Sequence, residues 1–235
     1  MILKKETIST ASKAILDTAK GSKDYMAELL DVSINAAFES ELVDKIPFLG
    51  WAIKSQAAIT LFQKKRAQRN LASYLEAIQN CDQDKLNELA DKIDNDPKFA
   101  DEFTDTTLSI LLEGSKPLKS EILGNLTVAL VTKEISKNEF YDLSLIVVEA
   151  SIPALEKLAY FIEFNINKFQ SWGNFEETNL RIKGLRLKGE PLLLSLGIAL
   201  RSENELIIDS NGFKLYFHGY SSADKKERMR FESTK

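Results

Sequence analysis

The chain has 235 residues, 44% hydrophobic and 28% charged, with 31 Lys and Arg against 35 Asp and Glu for a formal charge of −4. That composition excludes a disordered or collagen-like chain, and the length suffices to bury roughly 70% of the extended surface without a metal or disulfide. One cysteine, Cys81, and one histidine, His218, exclude an internal disulfide and a Cys/His metal cage, and leave a Ser-His-Asp or Cys-His hydrolase only His218 as its base.

From the start to about residue 168 the apolar residues recur at helical period. Met1 to Lys20 carries acids and threonines among its apolar positions and lacks the features of a secretory signal. Ser22 is placed to cap a helix through Tyr25, Met26, Leu29, Leu30, Ile34, Ala37 and Phe38 that ends near Asp44. After Pro47 and Gly50 a long helix is expected from roughly Phe48 to Gln79. Phe48, Trp51, Ala52, Ser55, Ile59 and Phe62 share one face of it, and Leu71, Tyr74, Leu75 and Ile78 continue the stripe. Asp82 opens a short helix with Leu86, Leu89 and Ile93 inward. Asp96-Pro97 starts another that carries Phe99, Phe103, Thr107, Ile110 and Leu111 to Gly114, read as its C′ residue. Pro117 begins a helix through Ile122, Leu126, Ala129 and Leu130. The capping box from Ser136 to Glu139 introduces Phe140, Leu143, Ile146 and Val147, and Pro153 starts a last one through Leu155, Leu158, Ala159, Ile162 and Ile166. Short joints between such helices are the pattern of a bundle.

Beyond Lys168 the period breaks at Ser171, Gly173, Asn174, Gly184, Gly189 and Pro191. Leu180 and Ile182 alternate with Arg181 and Lys183 as a half-exposed strand would, with Leu185 and Leu187 as a continuation. Pro191 to Leu196 reads as an apolar helical turn ended by Gly197, and Ile207-Ile208 as a strand. Asn211-Gly212 is open to two readings: a hairpin turn into Phe213, Leu215 and Phe217, or a helix capped by Ser210 with Phe213, Tyr216 and Phe217 inward. The expected fold class is therefore mostly α: a multi-helix bundle over 1–168, a small α+β winged-helix-like module over 169–220, and a flexible basic tail over 221–235.

Charge is divided along the chain. Lys45, Lys54, Lys64, Lys65, Arg66 and Arg69 occur between Lys45 and Tyr74 without an acid, whereas Glu76 to Asp105 holds ten acids against Lys85, Lys92 and Lys98. One reading makes both segments solvated helix faces. The other makes the apolar stretch from Ile46 to Phe62, with its basic edge, a surface for a partner protein or an anionic membrane, with Phe48, Trp51, Lys54, Phe62, Lys64, Lys65, Arg66 and Arg69 as contacts. That stretch holds Lys54 and Gln56 in 17 residues, short of the about 20 apolar residues a spanning helix needs. A cytoplasmic location is expected, with the inner-membrane surface as the alternative.

Constellations that carry chemistry are not found. The acids Asp82, Asp84, Asp91, Asp94, Asp96, Asp101 and Glu102 lack the central Gly and distal Glu of an EF-hand and read as caps and a solvated face. No phosphate-binding glycine loop occurs, and no cofactor or metal is expected. Arg181, Lys183, Arg186 and Lys188 are candidates for nucleic-acid contact, or for an edge strand that uses charge to resist pairing. The helical turn 191–196 offers no side chain that reads base edges, so nucleic acid is the weaker expectation.

The segments Ile46-Pro47-Phe48-Leu49-Gly50, Leu61-Phe62-Gln63-Lys64-Lys65, Leu71-Ala72-Ser73-Tyr74-Leu75, Glu134 through Phe140, Leu196-Gly197-Ile198 and Ile208-Asp209-Ser210-Asn211-Gly212 stand in an order that resembles a loose group of uncharacterised bacterial helical proteins with a winged-helix-like end. Some of that group are associated with phage defence or mobile elements. The resemblance transfers no catalytic residue. It implies a non-enzymatic interaction or regulatory protein, acting through contacts with another protein or by self-association. A membrane-active helical effector using residues 46–66 and a nucleic-acid-binding regulator are the alternatives.

Overall fold

The structure is a computed structural model that describes residues 5–22, 24–25, 47–48, 51, 61–169, 180–183, 190–202 and 205–220. Most of these residues are helical, and the fold is mostly α. The chain divides into two compact units, Met1–Ser136 and Lys137–Lys235. The boundary expected at 168 is thus displaced: the helices Lys137–Glu149 and Ile152–Phe169 make contacts with the strand-bearing C-terminal elements.

The first unit holds α1 (Lys5–Lys20), α2 (Leu61–Ile78), α3 (Gln83–Asn95), α4 (Pro97–Leu108) with a π-helical turn over Ser109–Glu113, and α5 (Leu118–Val131). The starts of α3 and α4 follow the capping logic of the sequence. Asp82 Oδ1 accepts from the Asp84 amide at 3.0 Å, and Asp96 Oδ1 accepts from the Phe99 amide at 3.0 Å with Pro97 behind it. The expected inner residues Leu86, Leu89, Ile93, Phe99, Phe103, Thr107, Ile110 and Leu111 are all buried.

The axis of this unit is the pair α2 and α5. Leu71, Tyr74, Leu75 and Ile78 from α2 and Ile122, Leu123, Leu126 and Leu130 from α5 are buried; each such aliphatic side chain contributes about 2 kcal/mol. Gly124 permits the close approach, because a Cβ there would lie 2.6 Å from the Ala77 Cβ and 2.8 Å from the Tyr74 carbonyl oxygen. The sequence stripe on α5 understated its burial: Leu123, Thr127 and Val131 are covered as well. A helix apolar on nearly all sides belongs at the centre of its unit.

The end of the α4 helix departs from expectation. Gly114 is not left-handed (φ −54°, ψ 122°). A glycine is needed there for space instead, since a Cβ would lie 2.3 Å from the Ile110 carbonyl oxygen.

The second unit holds α6 (Lys137–Glu149), α7 (Ile152–Phe169), β1 (Leu180–Lys183), α8 (Glu190–Leu194), β2 (Ala199–Ser202), β3 (Glu205–Ile208) and α9 (Ser210–Gly219). The strands form an antiparallel sheet in the order β1-β3-β2, with Arg181 opposite Ile207 and Lys183 opposite Glu205. Of the two readings for 210–219 the helix is the one formed. Its cap is Asp209, whose Oδ1 accepts from the Gly212 amide at 3.0 Å, and not Ser210. Helix α9 packs on α6, α7 and β3, burying Phe213, Leu215 and Tyr216. The rest of the helix expected from Ser22 to Asp44, and the tail 221–235, lie outside the described residues.

Candidate functional site

The residues expected to form a partner or membrane surface do not come together as one. Phe48 is fully buried, and its amide donates to Thr18 Oγ1 at 2.9 Å. Thr18 Oγ1 in turn donates to the Ala14 carbonyl at 2.7 Å. Phe48 is therefore a core residue that ties the chain to α1, which corrects its assignment as a surface contact. Trp51 is half-buried, its ring centroid 6.3 Å from that of Phe48. Phe62, Lys64 and Lys65 lie within α2, but the positions of their side chains are not described, and Lys54 lies outside the described residues.

Arg66 is half-buried. Arg69 is exposed and donates from Nη2 to the Ser115 carbonyl at 3.1 Å. Arg69 thus serves the chain's own architecture. The residue beside it, Asn70, is fully buried and was not singled out in the sequence. Its Nδ2 faces three carbonyls, those of Ile110 at 3.4 Å, Leu111 at 3.2 Å and Gly114 at 2.8 Å. These carbonyls lie at the helix C-terminus, where backbone donors run out; that of Ile110 also accepts from the Gly114 amide at 3.1 Å, and the Asn70 amide orientation is fixed because the reverse would set oxygen against oxygen. Asn70 and Arg69 together cap the π-helical turn from a neighbouring helix. A π turn often marks a functional position; here its visible role is to let the chain leave α4 under the Asn70 amide.

Elsewhere in this unit the buried polar groups form short relays. Tyr74 donates its hydroxyl to Thr127 Oγ1 at 3.4 Å, and Thr127 donates to the Leu123 carbonyl at 2.8 Å. Burial pushes the Tyr74 phenol up to about 12. Ser12 and Thr104 share a hydrogen bond between α1 and α4. The Cys81 thiol is half-buried, and burial raises its pKa, which is the opposite of what a reactive thiolate needs. Among the described residues no group of three His, Cys, Asp or Glu side chains is disposed to hold a metal ion.

In the second unit, β1 places Arg181 and Lys183 at one side of the three-stranded sheet; Arg186 and Lys188 lie outside the described residues. The features that stand out here are apolar. Leu145 on α6, Tyr160 on α7 and Phe217 on α9 are 60%, 53% and 39% exposed, the large hydrophobic side chains most open to solvent among the described residues. The frame beneath them is firm. Lys214 of α9 pairs with Glu139 of α6 at 2.5 Å, the Tyr216 hydroxyl donates to Glu163 of α7 at 3.3 Å, and the Tyr220 hydroxyl donates to the Leu155 carbonyl at 2.8 Å. Phe217 stands edge-on to Tyr216 with ring centroids 5.3 Å apart, and the Lys157 ammonium lies 4.9 Å from the Tyr160 ring centroid. The sequence had placed Phe217 inward. One residue after the buried Tyr216, a helical turn of about 100° carries it out.

Comparison with known protein families, curated proteins and solved structures finds no match. No helix among the described residues is long and apolar enough to cross a membrane.

Proposed function

We propose that this protein is a non-enzymatic interaction or regulatory protein that works by binding another protein through its second unit. The observation that carries the reading is the exposure of Leu145, Tyr160 and Phe217 on three helices whose positions are fixed by the Lys214–Glu139 and Tyr216–Glu163 contacts. Large aromatic and aliphatic side chains held rigidly at a surface supply contact area at low entropic cost, which is why they anchor protein interfaces. We read the sheet with α8 and α9 as a winged-helix-like module turned to protein docking, and the resemblance noted above makes phage defence its setting, in the cytoplasm.

The membrane reading of residues 46–66 loses an anchor with the burial of Phe48. The nucleic-acid reading rests on two strand residues, Arg181 and Lys183, and on nothing else described. The test is affinity purification from the native host with intact protein and with a Tyr160→Ser/Phe217→Ser double variant, beside phage challenge of a deletion strain. The proposal expects a specific partner retained by the first and lost by the second, and a deletion strain with altered phage sensitivity. Identical recoveries from both proteins would refute the contact surface, and an unchanged deletion strain would refute the defence role.

A further inference from the structure

Helix α6 carries more apolar side chains than its own unit covers. Phe140, Leu143 and Val147 face inward and are buried together with Ser144, and the helix packs on α9. Away from that face Leu145 is 60% exposed, and Tyr141 and Val148 are only half-buried. Steps of four and three residues set Tyr141, Leu145 and Val148 in one row, two turns or roughly 10 Å long. A helix with a second apolar row is built for a second neighbour.

The charges beside the row have one sign. Asp142 stands three residues before Leu145 and Glu149 four after it; both are exposed, and neither is paired with a base among the described residues. The lysines near α6 are already engaged, Lys137 with its ammonium 5.8 Å from the Tyr141 ring centroid and Lys214 with Glu139. Glu149 also falls in the last turn of α6, which holds no base, so its carboxylate adds to the negative end of that helix.

We propose that this row docks an amphipathic helix of a partner protein that carries Lys or Arg beside its apolar residues. The inference rests on the reading of the second unit as a contact surface, and it names the partner's chemistry at Leu145. The occupant is a helix because α6 offers side chains and no unpaired backbone between its ends, and a row at steps of four and three seats the ridge of another helix. It is basic because covering Leu145 takes water away from Asp142 and Glu149, which an apolar partner would leave unanswered. A second copy of α6 would set carboxylate against carboxylate, which disfavours self-association through this row.

The test is an NMR titration of the full chain with two synthetic helical peptides of the same leucine spacing, one with lysine and one with glutamate at the flanking positions. The lysine peptide should give saturable shifts at Tyr141, Leu145 and Val148 and bind several-fold tighter than the glutamate peptide. Asp142→Lys/Glu149→Lys should reverse that order, a gain of affinity for the glutamate peptide that loss of fold could not produce. Leu145→Ala should weaken the preferred peptide several-fold in either background. Equal affinity for the two peptides, shifts that fall away from α6, or no binding of either would overturn the proposal. A dimer of the chain that Leu145→Ala dissociates would overturn it too, by making a second copy the occupant. The Tyr160→Ser/Phe217→Ser variant reads the contact surface without altering α6, so the two readings fail separately.

Discussion

Helix α5 in the first unit and helix α9 in the second bury apolar side chains to different ends. Along α5, Ile122, Leu123, Leu126, Thr127, Leu130 and Val131 are all covered, and Gly124 draws α2 onto it. Along α9, Phe213, Leu215 and Tyr216 are covered while Phe217 faces solvent. The first unit buries polar groups as well: the Asn70 amide nitrogen lies under three carbonyls and the Tyr74 hydroxyl against Thr127, while Asn70 Oδ1 and Gln68 Oε1 are buried without a hydrogen-bond partner among the described residues. The contrast separates a scaffold, whose large side chains cover one another, from a surface whose large side chains are held in place without being covered.

Breaking the scaffold side of that contrast should cost most at Asn70. Asn70→Ala leaves the carbonyls of Ile110, Leu111 and Gly114 without the amide that serves them, and a loss of about 3 kcal/mol is expected in urea unfolding. Tyr74 gives a pH-dependent effect of nearly that size. Its phenol ionises near 10.0 in the unfolded chain and at about 12 in the fold. The unfolded state therefore releases its proton first, and stability falls as pH rises through that window, by up to roughly 2–3 kcal/mol. Tyr74→Phe should remove that slope. Gly124→Ala forces a methyl against the Tyr74 carbonyl and Ala77 and should cost about 2 kcal/mol by overpacking. On the surface side, Phe217 is 39% exposed, and Phe217→Ser should cost about 1 kcal/mol, less than any of the scaffold changes. A large loss there would mean that Phe217 belongs to the core and would erase the distinction.

Much of the first unit was legible from spacing and caps. Asp82, Asp96 and Pro97 mark helix starts by a local rule, and the stripe Leu71, Tyr74, Leu75, Ile78 follows the 3.6-residue period. The role of Asn70 was not legible, because its partners stand forty and more residues away and a mid-helix asparagine looks like any solvated polar residue. Phe48 was missed for a similar reason. An apolar residue beside a basic run has the same sequence pattern whether it faces a membrane or Thr18. Strand β2 was passed over because Ala199-Leu200-Arg201-Ser202 sets two apolar residues before two polar ones and shows no alternation, and its pairing with β3 is what defines it. The open choice at 210–219 was settled by Asp209, whose carboxylate satisfies the Gly212 amide and starts a helix where a hairpin would need a turn.

The claim that the second unit presents the working surface is tested most directly by photo-crosslinking in the native host. A crosslinking amino acid is placed in turn at Leu145, Tyr160 and Phe217, and at the exposed Asp91 of α3 as control. The account predicts a discrete protein adduct from at least one of the first three positions and none from Asp91. Adducts from Asp91 alone, or from none of the four, would contradict it.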